Sequence, residues 1–141
     1  MKLTPYSLTL SLIGLIGLIA GIPASAAEKP STIDFTQPVL DLDGKPMLRP
    51  EVNDPKKTTP ITLTDIAVQA LLSVTESDKN MTGAQKFDLA ELAHKIYKNK
   101  TAALTIDERK LLKDRIGLVE TPLVVGAVWP MLDENADKKE K

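Results

Sequence analysis

The feature that most constrains the fold is an apolar run near the C-terminus. Residues 122–132 read PLVVGAVWPML and contain no charged side chain. A helix of this composition has almost no polar face, so it must lie centrally in the fold or be covered on its outer side by a partner. It directly follows a charged helical segment, residues 105–120, and the two predict a helical hairpin. Gly126 costs about 1 kcal/mol of helix propensity relative to alanine, which favours a close helix crossing there.

Short capping motifs mark where the other helices begin. Thr62, Thr82 and Thr105 each precede an acidic or amide side chain three residues later, which is the pattern of a capping box. A proline following Thr121 suits the first position of a helix, where its missing N–H costs nothing. The apolar spacing predicts helices over residues 62–74, 82–98, 105–119 and 121–132.

A short β-hairpin is predicted before the helices. Asp43 and Gly44 stand between two short arms of alternating apolar residues, and this dipeptide favours a type I′ turn because both residues tolerate positive φ. Pro38 and Pro46 keep the arms short and edge-like. Residues 49–60, with three prolines and no apolar periodicity, are interpreted as a surface linker. The predicted fold is therefore mainly α, a small bundle of about four helices preceded by a short β-hairpin.

The N-terminus has the pattern of a secretory signal. Lys2 precedes an uncharged apolar run, residues 8–22, and the triplet ending at Ala26 has the small residues that signal peptidase reads. Cleavage after Ala26 predicts a periplasmic or secreted protein with no membrane segment left. A single N-terminal membrane anchor is the alternative, because the run is about as long as a short span and roughly 20 residues is usual.

The chain is thus predicted to have four parts: the signal peptide (1–26), a leader with hairpin and linker (27–60), a helical domain (61–132) and a charged tail (133–141). Its 18 basic and 19 acidic residues nearly cancel, so no field of one sign favours nucleic acid as a partner. The absence of cysteine excludes disulfides, thiolate metal sites and a cysteine nucleophile.

No residue stands in a catalytic, cofactor or metal motif. His94 is the only histidine, so no histidine cluster can bind zinc. The stretch around Asp41 and Asp43 resembles part of a calcium loop, but Val39 stands where the first ligand should be. We therefore predict no cofactor, no metal and no enzymatic activity.

Partner binding is instead predicted at the apolar run, through Trp129, Val125 and Leu132. Tryptophan is enriched in binding hot spots when exposed. In an apolar run it is also common as a core residue, and both interpretations stay open.

Several segments resemble a family of small tailed-phage and prophage proteins of unassigned function. They are TIDFTQPVLDLDGKPM, the helical middle from TLTDIAVQALL to LTIDERKLLKDRIG, and TPLVVGAVWPML, together spanning roughly residues 33–132. The family shares an "LDLDG-P" opening and a "PLVVG-VW" closing segment. The resemblance implies a helical module that works through contacts, and it transfers no catalytic residue. Family members lack a signal peptide, so residues 1–26 depart from the pattern.

Two classes of function follow. The first is an exported interaction module of phage or prophage origin that binds an envelope or phage protein, as superinfection exclusion or host modulation requires, or that self-associates. It predicts an exposed apolar patch. The second is a periplasmic small-ligand-binding protein or small enzyme with a pocket formed by Glu91, His94 or Tyr97. It predicts a concave site on which polar groups converge.

Overall fold

The computed structural model describes residues 31–134, which form four helices and two small antiparallel strand pairs. The mainly α fold with a short hairpin is confirmed. The predicted signal peptide and cleavage site lie outside the described residues, as does most of the charged tail. The elements in chain order are β1 (Ser31–Asp34), β2 (Leu48–Pro50), β3 (Thr58–Pro60), α1 (Leu63–Leu72), a 3-10 helix (Glu76–Asn80), α2 (Gly83–Lys98), β4 (Thr101–Leu104), α3 (Ile106–Val119) and α4 (Pro122–Glu134).

All three predicted capping boxes are confirmed. At the start of α3, for example, the Glu108 amide donates to Thr105 Oγ1 at 3.1 Å, and the Thr105 amide donates to Glu108 Oε2 at 2.8 Å. α1 ends two residues earlier than predicted, because Ser73 adopts extended backbone with ψ 136°. Val74 therefore lies beyond the helix and is 89% exposed.

α1 lies between α2 and α3 and contacts both, whereas α4 packs mainly on α3. Of the two alternatives predicted for α4, a central position is not found, and the central helix is α1. Half of the residues of α1 are buried against its neighbours, whereas the face of α4 that points away from α3 stays exposed. The fully buried core side chains come from the helices and from the strands before them: Ile33, Phe35, Val39, Leu63, Ala67, Ala70, Ile96, Leu104, Leu112, Ile116, Val128 and Leu132.

The two strand pairs were not predicted as such. β1 pairs antiparallel with β4, with Ser31 opposite Leu104 and Asp34 opposite Thr101. This pair fastens the start of the described chain to the segment between α2 and α3. β2 pairs with β3, with Leu48 opposite Pro60. The proline-rich segment interpreted as a surface linker therefore contains a hairpin of its own.

The hairpin around Gly44 is present, but its predicted turn type is wrong. Gly44 has φ 77°, and no non-glycine residue among residues 31–134 has positive φ. A type I′ turn needs two such residues. The Asp41 amide instead donates to the Lys45 carbonyl at 2.8 Å, which closes a three-residue loop. Asp41 Oδ1 accepts from the amides of Asp43 and Lys45, both at 2.9 Å, and so holds Asp43 out of the left-handed region.

A buried ion pair joins α3 to the connection between α1 and α2. Arg115 is 2% exposed and its Nη1 lies 2.5 Å from Asp78 Oδ1. The same guanidinium donates to the carbonyls of Ser73 and Ala70, at the C-terminal end of α1. Hydrogen bonds from Arg115 and from the Thr75 backbone lower the pKa of Asp78 to about 2. Arg115 thus closes the open end of α1 and fixes the 3-10 helix against α3.

Candidate functional site

A continuous apolar groove runs between α1 and α2 on the outside of the bundle. One end is a depression of about 330 Å³ lined by Val68, Leu72, Ala90, Ala93, His94 and Tyr97. The other is a depression of about 320 Å³ that shares Leu72 and Ala90 with the first. We refer to the two together as the α1–α2 groove. From Lys86 to Tyr97 it follows α2 for roughly 16 Å at the helical rise per residue.

The helical periodicity of α2 explains why this groove is apolar. Leu89, Leu92 and Ile96 face the core and are at most 6% exposed. Ala90 and Tyr97 stand two turns apart on the adjoining side, with Ala90 exposed and Tyr97 72% exposed. The small Ala90 side chain leaves the floor open, since bulkier residues there would fill the space between the helices.

Exposed apolar side chains surround the groove. Leu72 is 57% exposed on its α1 wall, and Val74 is 89% exposed just beyond that helix. Phe87, one turn before Ala90, is 63% exposed. Side chains of this size are normally buried, and several of them together on one surface mark an interaction site. The sequence did not predict the exposure of either residue: Leu72 lay outside the predicted apolar stripe of α1, and Phe87 was interpreted as part of the apolar stripe of α2.

One end of the groove is positively charged. Lys79 and Lys86 line it, and the buried Arg115 and Asp78 pair lies at its floor. Lys79 also forms an ion pair with Glu76, and Asp78 neutralises Arg115. Lys86 is therefore the lysine that gives this end its positive charge. A ligand that fits the groove would be apolar along its length and acidic at this end.

The three polar residues proposed for a ligand pocket do not share one site. His94 and Tyr97 both line the α1–α2 groove. Glu91 lies on the other side of α2, in a separate depression with Lys95 and Glu108. Lys95 and Glu108 are joined by an ion pair of 2.8 Å. The depression that contains His94 and Tyr97 therefore has these two polar groups on an otherwise apolar, open surface.

The predicted partner-binding residues lie on or beneath α4. Trp129 is 38% exposed, and its Cζ2 lies 3.4 Å from where a Cβ of Gly117 would be. Lys113 Nζ stands 5.0 Å from the centre of the Trp129 ring. Val125 is half-buried. Leu132 is fully buried, so its side chain belongs to the core and does not reach the surface.

The predicted close helix crossing at Gly126 is wrong for residues 31–134. No atom of this part of the chain comes within 4 Å of where its Cβ would be. The close approach is at Gly117 on α3, where the Trp129 ring crosses the helix. A Cβ would fit there in van der Waals contact, whereas a larger side chain would displace the ring.

The outer face of α4 forms a second exposed apolar surface. It consists of Pro122, Leu123, Gly126, Trp129 and Pro130, which we call the α4 surface. These five residues recur at the spacing of one helix face. Beside it, Leu40 and Leu42 of the hairpin are 42% and 90% exposed and share a depression of about 480 Å³ with Leu123 and Gly126.

The turn between α3 and α4 contains an acidic side chain, Glu120, with one unpaired oxygen in the described part of the chain. Glu120 Oε1 is buried and has no hydrogen-bond partner within the described part of the chain. Burial raises the pKa of Glu120, because the charged carboxylate is poorly solvated there.

Two kinds of site are not found between residues 31 and 134. No group of three or more His, Asp or Glu side chains is placed there to hold a metal ion. None of the helices in that range is long and apolar enough to cross a membrane.

The fold and surface define a small helical bundle with an open apolar groove. Comparison with known proteins gives no match to any family model, curated protein or solved structure. The resemblance to tailed-phage and prophage proteins therefore stays a prediction from the sequence.

Proposed function

We propose that this chain is an exported protein-interaction module of phage or prophage origin, and that it binds an amphipathic helix of an envelope or phage protein in the α1–α2 groove. The observation that supports this most is that the two depressions share Leu72 and Ala90, so that together they follow α2 for about three helical turns. Grooves of this kind take up helices through apolar residues spaced at i, i+3, i+4 and i+7. The proposed partner also has an acidic residue facing Lys86.

The exposed groove side chains supply a driving force for binding. Full burial of a leucine or phenylalanine contributes roughly 1.5–3 kcal/mol. Leu72 lines both depressions and is more than half exposed, and Tyr97 adds an aromatic anchor with a polar tip. Export is supported by the N-terminal pattern, and phage or prophage origin by the resemblance alone. A role in superinfection exclusion or host modulation suits an exported protein of this origin. The proposal includes no enzymatic step.

Photo-crosslinking in cells tests the proposal. A photoreactive phenylalanine analogue replaces Ala90 on the groove floor, and in a control it replaces Ala84, which is also exposed on α2. Ala84 lies about one third of a turn away from the groove side of the helix. We expect a discrete adduct with another protein from position 90 and none from position 84. Equal adducts from both positions, or none from either, would refute binding in the groove.

A charge reversal provides the second arm of the test. Lys86→Glu should weaken capture of the partner, because it places an acid against the partner's acid. Lys98→Glu changes the same charge at an exposed position beyond the groove lining and should leave capture unchanged. If both variants capture the partner like the unmodified protein, an acidic partner helix is excluded.

A further inference from the structure

The exposed residues of the α4 surface are arranged symmetrically about Gly126. Pro122 and Pro130 lie four residues before and after it, and Leu123 and Trp129 lie three residues before and after it. All five are exposed, and Val124 and Val128, two residues before and after Gly126, face inward. A surface with this order of small and large groups is the same when the helix is read in either direction. A two-fold dimer uses the same surface on both copies, so this symmetry permits an antiparallel pairing with Gly126 at its centre.

We infer that the α4 surface pairs with the same surface of a second copy of this chain, antiparallel and with Gly126 on the two-fold axis. By helical periodicity, Leu123 and Pro130 lie on the side of the surface that faces the hairpin, and Pro122 and Trp129 on the side that faces α3. A two-fold rotation therefore places Leu123 against Pro130 of the second copy, and Trp129 against Pro122 of the second copy.

Gly126 has no role in packing within residues 31–134. Nothing there approaches its Cβ position within 4 Å. Pro130 crowds the carbonyl oxygen of Gly126 and not its Cβ position, so the proline does not require a glycine either. Glycine in a helix interior is unfavourable. Close approach of a second backbone at the two-fold axis gives a reason for it.

The charges around the α4 surface permit an identical copy to approach. No charged residue occurs between Pro122 and Leu132. At the end of the surface, Lys113 Nζ and Asp133 Oδ2 form an ion pair of 2.8 Å, so the polar rim is locally neutral. Apolar cores with polar rims are typical of protein interfaces.

The residues that follow α4 in the sequence have little apolar side-chain surface to bury against the α4 surface. Residues 135–141 read NADKKEK and include a single apolar residue, Ala136. A segment of this composition favours solvent over an apolar face. Interfaces of standard size bury roughly 800 Å² per partner, which is more than one face of a single helix with Leu40 and Leu42 provides. We therefore expect a dimer that dissociates on dilution.

Sedimentation equilibrium tests this inference. The protein is used in the form in which it is purified from the cells that express it. We expect a monomer–dimer equilibrium. Gly126→Glu should weaken it by at least about tenfold, because the two introduced charges meet at the axis. The control Gly83→Glu introduces the same side chain at another glycine with no neighbour near its Cβ position, and should leave the dimer intact. Thermal unfolding checks that Gly126→Glu still folds.

Variants with a single introduced cysteine test whether Gly126 lies on the two-fold axis. The chain has no cysteine of its own, so each variant has one thiol. Gly126→Cys on the axis should form a disulfide between copies under mild oxidation much faster than Gly83→Cys. A protein that remains monomeric up to the millimolar range, a dimer that Gly126→Glu does not weaken, or equal cross-linking of the two cysteines would each overturn the inference. The photo-crosslinking result at Ala90 is independent of all three outcomes.

Discussion

Replacing Arg115 with methionine should be the most damaging single substitution outside the apolar core. The guanidinium is 2% exposed and makes hydrogen bonds to Asp78 and to the carbonyls of Ala70 and Ser73. Methionine would fill much of the volume but remove the donor to both carbonyls and to Asp78 Oδ1, and Asp78 would keep only its hydrogen bonds from Thr75. Removing one partner of a buried ion pair costs roughly 3–5 kcal/mol. For a domain of this size that corresponds to a fall in Tm of roughly 15–30 °C.

Urea denaturation followed by circular dichroism measures this loss. The control is Lys110→Met on the same helix, where Lys110 Nζ lies 2.6 Å from Asp114 Oδ2 but both side chains are more than half exposed. That substitution should cost less than about 0.5 kcal/mol, because exposed i, i+4 pairs contribute little. If Arg115→Met costs no more than Lys110→Met, the guanidinium does not hold the end of α1. The double variant Arg115→Met with Asp78→Leu should recover part of the loss, since no buried charge is left unpaired.

Three further predictions concern pH and packing. The pKa of Asp78 is lowered to about 2 in the folded state. The ionised Asp78 therefore stabilises the fold above its ordinary pKa near 3.8, and this contribution is lost as the pH falls towards 2. Urea midpoints across this pH range should fall less steeply in Arg115→Met than in the unmodified protein. The pKa of Glu120 is raised by burial, so its ionisation disfavours the fold above its ordinary pKa; Glu120→Gln should raise the Tm at pH 7 and leave it unchanged at pH 3, and an unchanged Tm at both would contradict the unpaired burial of this carboxylate. Gly117→Ala should change stability by at most about 1 kcal/mol, because its Cβ would meet Trp129 at contact distance and alanine favours the helix; Gly117→Leu should displace the ring and shift tryptophan fluorescence to longer wavelength, and identical spectra would show that the ring does not lie across Gly117.

The helices could be predicted because their starts are encoded locally. A threonine and the residue three positions later satisfy each other's backbone amides, and this needs no information about the rest of the chain. The end of α1 was less well predicted, because the hydrogen bond that closes it comes from Arg115, more than forty residues away. Arg115 itself lies in a charged helix, where nothing in the sequence distinguishes it from its solvated neighbours.

The pairing of β1 with β4 and the position of α4 could not be predicted for a related reason. β4 reads TAAL, which has little β propensity of its own, and it becomes a strand because β1 lies beside it. The composition of α4 indicated that it would be covered, but not by what. Its inner face packs on α3, and its outer face is exposed within the described part of the chain. The α1–α2 groove escaped prediction because it depends on how far α1 and α2 stand apart.

A dimer joined through α4 would present two α1–α2 grooves, since α1 and α2 take no part in the α4 surface. Two grooves that engage partner helices on the same membrane or particle make the second binding step intramolecular, which can raise overall avidity by about 10²–10⁴-fold. Gly126→Glu should therefore weaken binding to a partner displayed at high density on beads, and leave binding to the same partner at low density unchanged. Lys86→Glu should weaken both. If Gly126→Glu has the same effect at both densities, the α4 surface contacts the partner directly and is not joining two copies.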